Sequence, residues 1–118
     1  MFSSYALSKI LINDWKLSPH EPEFTVMRIE VTGRLDSIKK KITINLYDEY
    51  DNPTKLSSMG RTTGFTATAC AEMVLKGSFS GKGVFPLELV GMDADNTEFI
   101  LQYQAERGIM YGITEKIL

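Results

Sequence analysis

The stretch FTVMRIEVTGRLDSIKKKITINLY, residues 24–47, decides the fold. Apolar and polar residues alternate in it, as in Met27-Arg-Ile-Glu-Val31 and again in Ile42-Thr-Ile-Asn-Leu46. Because successive side chains point to opposite faces of a strand, this period of two predicts two half-buried strands. The strands are long and close in sequence, so we expect them to pair as an antiparallel hairpin.

The closed end of this hairpin carries two further signals. Gly33 to Ser37 reads as the connecting turn. Lys40 falls on the apolar face of the second strand. Since a charged side chain does not suit a buried face, we expect that end to be frayed or to lie at the edge of the sheet.

Helical periodicity flanks the hairpin on both sides. Before it, Ser3 or Ser4 can cap a helix whose apolar face carries Leu7, Leu11 and Trp15. The prolines of Ser18-Pro-His-Glu-Pro22 end that helix. After the hairpin, we predict a helix over residues 64–76, with Phe65, Ala69 and Met73 in one row and Cys70 and Val74 beside it, ended by Gly77.

The C-terminal third predicts three more elements. Pro86 can open a short helical turn through Leu89. Asp95 and Glu98 resemble a capping box at the start of a helix that Gly108 stops, and residues 109–114 form a last strand. The order α-β-β-α-α-β predicts an α+β fold, with a small mixed or antiparallel sheet covered by helices. We expect residues 1–118 to form a single domain.

Composition limits the possible partners. The 15 acidic and 13 basic residues give a formal net charge of -2, which argues against a dedicated nucleic-acid binder. No apolar run is long enough to cross a membrane. The single cysteine suits a reducing compartment, and the first residues lack the features of a signal peptide, so we expect a cytoplasmic protein.

The residues that usually carry catalysis do not form a pattern. The one histidine, His20, lies between two prolines and reads as a solvated loop residue, and Cys70 reads as a core residue of its helix. Asp48 to Asp51 and Lys39 to Lys41 read as solvated strand ends. We therefore predict no catalytic group and no metal site in this chain.

No dinucleotide-binding unit is visible either. A strand, a Gly-x-Gly-x-x-Gly turn and a helix do not occur in succession. The glycine cluster Gly77-Ser-Phe-Ser-Gly-Lys-Gly83 has the wrong spacing for a phosphate-binding loop and reads as a connector. We expect this chain to bind no cofactor.

One segment, Ser57-Ser-Met-Gly-Arg-Thr-Thr-Gly64, has little apolar content yet leads into a helix. Arg61 would stand at the helix start, where the helix dipole attracts anions and where a guanidinium can bind a carboxylate with two hydrogen bonds. Thr62 and Thr63 add hydroxyl groups. These residues suit a ligand with a carboxylate, but ordinary capping beside a surface arginine explains them equally well.

This segment also carries a family resemblance. Ser58-Met-Gly-Arg-Thr-Thr-Gly-Phe65 resembles the Ser-Met-Ala-Arg-Thr-Thr-Gly-Phe signature of the saccharopine dehydrogenase and lysine 6-dehydrogenase family. Thr25 to Gly33 is similar to the strand and glycine that precede the signature, and Gly83-Val-Phe-Pro-Leu-Glu88 is similar to its Gly-Val-x-Pro-Pro-Glu. Gly60 replaces the usual alanine, which would loosen the turn before Arg61, and Leu87 replaces the second proline.

The resemblance implies the C-terminal, substrate-side domain of an oxidoreductase. In that family an N-terminal Rossmann domain binds NAD or NADP, the C-terminal part shapes the substrate site and often helps the enzyme to dimerise, and the substrates are lysine-derived or related amino acids. It implies a substrate-binding role for Ser58, Arg61, Thr62, Thr63 and Gly64, and no activity for this chain alone. A free-standing binding or dimerisation module stays open as an alternative, and an unrelated acid–base enzyme is a more distant one.

Overall fold

The sheet has three antiparallel strands. A computed structural model describes residues 4–118. Its strands are β1 (Phe24–Leu35), β2 (Ile38–Glu49) and β3 (Tyr111–Ile117), in the spatial order β1-β2-β3. The predicted hairpin and the C-terminal strand are both confirmed, and β3 pairs antiparallel to β2, so the sheet is antiparallel rather than mixed.

The hairpin turn is shorter than the sequence suggested. Only Asp36 and Ser37 lie outside the strands, with φ angles of 50° and 66°. Two residues of positive φ give the turn the right-handed twist that a tight hairpin needs. Gly33, which we expected in the turn, lies within β1 and pairs with Lys40.

Residues 4–118 contain four helices beside the sheet, and without the one-turn helix α3 the elements follow the predicted order α-β-β-α-α-β. They are α1 (Ser4–Trp15), α2 (Ser58–Leu75), α3 (Leu87–Val90) and α4 (Ala94–Ala105). Helix α1 begins at Ser4, and the predicted alternative cap at Ser3 lies outside the described residues. Pro86 caps the one-turn helix α3, as its position predicted.

Two helix starts differ from the sequence prediction. Helix α2 begins at Ser58, six residues before the predicted Gly64, because the Ser57 side chain accepts a hydrogen bond from the Gly60 amide. Helix α4 is capped by Asp93 rather than Asp95, since the Asp93 carboxylate accepts from the Asp95 amide. Gly108 follows α4 with a φ of 82°, a conformation that suits glycine.

The register gives the sheet one apolar face. Met27 lies opposite Leu46 and Ile29 opposite Ile44, so these side chains share a face. Helix α2 contacts β1 and β2, and Gln104 of α4 forms a hydrogen bond with Tyr111, so both helices lie over the end of this face at which β1 and β3 begin. The buried apolar residues of the domain are Leu46, Tyr50, Ala69, Met73, Val90 and Ile109.

Lys40 is an exception on this apolar face, and its expected frayed or edge position is wrong. It lies in the central strand, paired with Gly33 on one side and Ile117 on the other. Its ammonium group lies 2.6 Å from the Glu115 carboxylate on β3. The charge is tolerated on this face because a neighbouring strand supplies its partner.

Among residues 4–118, no helix covers the other half of the apolar face. Seven of its side chains are exposed and form what we call the open apolar surface: Ile29, Val31, Leu35, Ile38, Ile42, Ile113 and Ile117. Within the described part of the chain helix α1 has no buried residue, and on its predicted apolar face Leu7 and Trp15 are exposed while Leu11 is half-buried. The radius of gyration is 18.1 Å, against about 13.5 Å for a compact domain of this length.

No helix among residues 4–118 is long and apolar enough to cross a membrane.

Candidate functional site

The start of helix α2 already holds a carboxylate of this chain. Glu23, just before β1, accepts hydrogen bonds from the backbone N–H of Ser58 and, at 2.5 Å, from its hydroxyl. The Thr25 hydroxyl lies 2.6 Å from the Ser58 hydroxyl. Free N–H groups at a helix start attract anions, and here Glu23 and the Ser57 hydroxyl occupy that position. Ser58 is fully buried and ties α2 to β1.

Arg61 lies inside the fold and not on its surface. Its side chain is 11% exposed, and that of its partner Asp48 is 6% exposed. The guanidinium Nε donates to Asp48 Oδ2 at 3.1 Å, while Nη2 donates to Asp48 Oδ1 at 3.2 Å and to the Arg107 carbonyl at 3.1 Å. Arg61 therefore joins the first turns of α2 to the end of β2 and to the chain after α4.

The burial of Asp48 shows that one sequence prediction was wrong. We expected residues 48–51 to form a solvated strand end, but Asp48 and Tyr50 are both buried. They lie on the apolar face, because they continue the alternation of Leu46. A buried carboxylate needs a partner of opposite charge, and Arg61 provides it.

The two threonines of the signature face different ways. The Thr62 hydroxyl donates to the Ser58 carbonyl at 2.9 Å, within the helix, and the Thr62 carbonyl accepts from the side-chain amide of Gln104 on α4. The same amide donates to the Thr66 hydroxyl at 2.6 Å. Thr63 is exposed on the outer side of α2. Gln104 is buried and was missed by sequence reasoning, because its partners are more than 35 residues away.

The five predicted substrate-binding residues thus separate into two groups. Ser58, Arg61 and Thr62 lie on the inner side of α2, and their polar groups bond to this chain. Thr63 and Gly64 lie on the outer side and are exposed. A Cβ atom added at Gly64 would meet no atom within 4 Å, so a neighbouring molecule has space to approach α2 there. Substrate binding by these residues stays a prediction.

Gly60 stands where the signature has alanine, and the local structure explains why glycine fits this position. A Cβ atom at this position would lie 2.9 Å from the Ser57 hydroxyl that caps the helix. Glycine leaves room for that cap, and Gly60 lies in the first turn of α2. The sequence suggested that Gly60 loosens a turn before Arg61, but Gly60 lies in a helix and not in a loose turn.

A polar hollow of about 430 Å³ opens beside Arg61. It is lined by Tyr47, Asp48, Glu49, Tyr50, Asp51, Asn52, Pro53, Arg61 and Gly108. Among residues 4–118, Arg61 Nη1 forms no hydrogen bond, and it lies 3.9 Å from Asp51 Oδ2. Hydrogen bonds from the Thr54 hydroxyl and amide hold the pKa of Asp51 below its usual range, and the nearby Arg61 charge lowers it further, so the hollow keeps a negative charge near neutral pH.

His20 and Cys70, the other two candidate residues, lie outside the polar hollow. His20 is exposed, as predicted, and its Nδ1 lies 3.2 Å from the Tyr50 hydroxyl. Cys70 is half-buried rather than in the core, and it lines a small apolar cavity with Phe79 and Phe85. No group of three or more histidine, cysteine and acidic side chains suited to a metal ion occurs in the described part of the chain.

The antiparallel sheet and the signature helix α2, whose inner side packs against it, define a small α+β domain with a polar hollow on one side. A family model described as the saccharopine dehydrogenase C-terminal domain matches residues 4–109. The chain therefore belongs to this family, as its signature indicated. No curated protein and no solved structure matches the chain.

The described elements do not fit a nicotinamide dinucleotide. Such a cofactor lies at the carboxyl ends of parallel strands, against a glycine-rich turn at a helix start. Here the strands are antiparallel, and the N-terminus of α2 meets Glu23. That this chain binds no cofactor of this class stays a prediction.

Proposed function

We propose that this chain is the substrate-side domain of a saccharopine-dehydrogenase-like, NAD(P)-dependent oxidoreductase that acts on lysine-derived or related amino acids. In this proposal an N-terminal Rossmann domain binds NAD or NADP, and the enzyme is a cytoplasmic homodimer. The polar hollow beside the signature helix is the observation that supports the assignment best.

The charges of the hollow suit an amino acid. Asp51 and Glu49 give it a negative side that would attract a substrate ammonium group. Arg61 Nη1 offers a donor to a substrate carboxylate, while Nε and Nη2 stay with Asp48. Because Asp48 fixes the guanidinium plane, the free nitrogen is held in place before any ligand arrives.

The outer side of α2 suits a second role. Thr63 and Gly64 leave an exposed and sterically open helix face just above the signature. A helix face without large side chains permits close approach by the Rossmann domain or by the substrate between the two domains.

The chemistry would then be divided between the domains. When bound to the Rossmann domain, the nicotinamide supplies the hydride acceptor. The residues described here would bind the amino acid, orient it and exclude water from one side of the cleft. The chain alone would catalyse nothing.

The test is an assay of the enzyme that contains both domains, following reduced nicotinamide formation with lysine-derived amino acids as substrates. Asp51→Asn should raise the KM for these substrates, because it removes charge while keeping an acceptor for the Thr54 hydroxyl. Glu30→Gln is the matched control, since Glu30 is an exposed, ion-paired carboxylate outside the hollow. Equal effects of the two substitutions would contradict the site, and a protein without a Rossmann domain would favour the free-standing module.

A further inference from the structure

We propose that Gln104 is a positioning residue for the polar hollow: it fixes the Arg107 carbonyl against the Arg61 guanidinium, and so sets the place of Arg61 Nη1. This inference rests on the proposed function, because it names the residue that holds the proposed substrate donor. Gln104 does not line the hollow and acts on a ligand only through Arg61.

The side chain of Gln104 ties α4 to the signature helix. Gln104 is 1% exposed, and a buried amide is tolerated only when its polar groups are hydrogen-bonded. Its Nε2 donates to the Thr66 hydroxyl at 2.6 Å and to the Thr62 carbonyl at 3.3 Å. Both N–H groups of the amide therefore bond to α2. Since Thr62 follows Arg61 directly, these bonds fix α4 against the turn of α2 that carries Arg61.

The main chain of Gln104 shapes the turn after α4. Its carbonyl accepts hydrogen bonds from the amides of Arg107 at 2.9 Å and Ile109 at 3.0 Å. The Gly108 amide donates to the Ala105 carbonyl at 3.0 Å, and Gly108 has a φ of 82°. This is the pattern of a Schellman motif, which ends a helix in one defined geometry. Gln104 thus anchors the turn through its carbonyl and the helix through its amide.

This turn presents a main-chain acceptor to Arg61. The Arg107 carbonyl accepts from Arg61 Nη2 at 3.1 Å, and Asp48 Oδ1 accepts from the same nitrogen at 3.2 Å. Both N–H groups of Nη2 are used in this way. The guanidinium is held between β2 and the turn, and Nη1 is the nitrogen left on the side of Asp51.

Asp48 alone would not hold the guanidinium as firmly. A carboxylate can rotate about its Cβ–Cγ bond, because the torsion to an sp² carbon is broad. The guanidinium could follow that rotation while keeping both bonds to Asp48. The Arg107 carbonyl belongs to the main chain and gives a third, fixed point. A small displacement of a donor weakens its contact with a ligand, so the residue that fixes this point should matter for binding.

The test compares two substitutions of buried amides on α4. Gln104→Met removes both donors and keeps a side chain of similar length. Asn96→Leu is the matched control, because Asn96 is also buried, donates to the Val90 carbonyl at 3.3 Å and lies outside the hollow. Circular dichroism checks that both variants are folded. If Gln104→Met does not fold, Thr66→Val replaces it, since this removes the acceptor of the shorter bond.

NMR of the 118-residue chain measures the positioning without any substrate. The Arg61 Nε–H, which donates to Asp48, should exchange with water about fivefold faster in Gln104→Met, as expected for the loss of one hydrogen bond. Asn96→Leu should leave this rate unchanged. The amide of Ala69, in the middle of α2, serves as the reference for a general loss of stability. An unchanged rate in Gln104→Met, or an equal increase in both variants, would overturn the inference.

Steady-state kinetics of the enzyme with both domains measures the consequence. Gln104→Met should raise the KM for the amino acid by about fivefold, the effect of one hydrogen bond, with a smaller change in kcat. Asn96→Leu should change neither constant, although it also removes a buried hydrogen bond. Faster Arg61 exchange with an unchanged KM would support the positioning by Gln104 and would contradict Arg61 as the substrate donor, so the two failures are distinguishable.

Discussion

Arg61 and Asp48 form a side-on ion pair in which Nε lies 3.1 Å from Oδ2 and Nη2 lies 3.2 Å from Oδ1. The pair is nearly excluded from solvent. It joins the signature segment at the start of α2 to the central strand β2. The guanidinium that we propose as a donor to a substrate carboxylate therefore also links three segments of the domain.

Arg61→Lys should destabilise the chain by about 1–3 kcal/mol, because an ammonium group cannot reproduce two parallel hydrogen bonds to a buried carboxylate. A surface arginine would change stability by less than about 0.5 kcal/mol. Urea unfolding measures the difference. Arg28→Lys serves as the control, since the Arg28–Glu30 pair is exposed and should change stability little. Equal stabilities of the two variants would argue against a structural role for Arg61.

Gly64→Ala should stabilise the isolated chain by about 0.5–1 kcal/mol, because alanine favours a helix and its Cβ meets open space. Gly60→Ala should gain less or lose stability, since its Cβ would press on the Ser57 cap. In the complete enzyme, Gly64→Ala should raise the KM if the outer side of α2 faces the substrate. Thermal unfolding and steady-state kinetics measure the two effects, and a destabilised Gly64→Ala chain would contradict the open position of this residue.

Tyr111 should make the fold sensitive to alkali. Its pKa is raised above the usual value, chiefly by burial beneath α4 and slightly by the Asp48 charge, while a hydrogen bond with Gln104 opposes the shift. Above a pH of about 10 the unfolded chain releases this proton before the folded chain does, so stability falls as the pH rises. Tyr111→Phe should remove part of that fall.

Urea unfolding at about pH 8 and about pH 10.5 measures the effect of Tyr111→Phe, in the range where tyrosine titrates. The loss of stability between the two pH values should be smaller in the variant than in the wild type. Part of the loss should remain, because a hydrogen bond to Glu49 also raises the pKa of Tyr47. An identical loss in both proteins would show that Tyr111 does not contribute.

The fold was predictable where local patterns decide it. The period of two in residues 24–47 predicts the hairpin because alternation follows directly from strand geometry. The start of α2 was not predictable in this way. Its first turns are polar and contain two glycines, and the carboxylate that satisfies the Ser58 amide comes from Glu23, 35 residues earlier.

The site was predictable only in part for the same reason. The signature identified the family, but the sequence does not show that Asp48 is buried, because its partner Arg61 reaches it only after the chain has left the sheet and returned as α2. Lys40 likewise looked misplaced, since Glu115 follows it by 75 residues. Long-range ion pairs decide both cases, and local patterns do not encode them.

Calorimetric titration of the folded 118-residue chain with NAD and with NADP tests the central claim most directly, namely that this chain supplies the substrate side and no cofactor site. The antiparallel sheet and the occupied N-terminus of α2 predict no saturable binding of either dinucleotide. Saturable binding with a Kd below about 100 μM, a free energy of about 5.5 kcal/mol, would contradict the account.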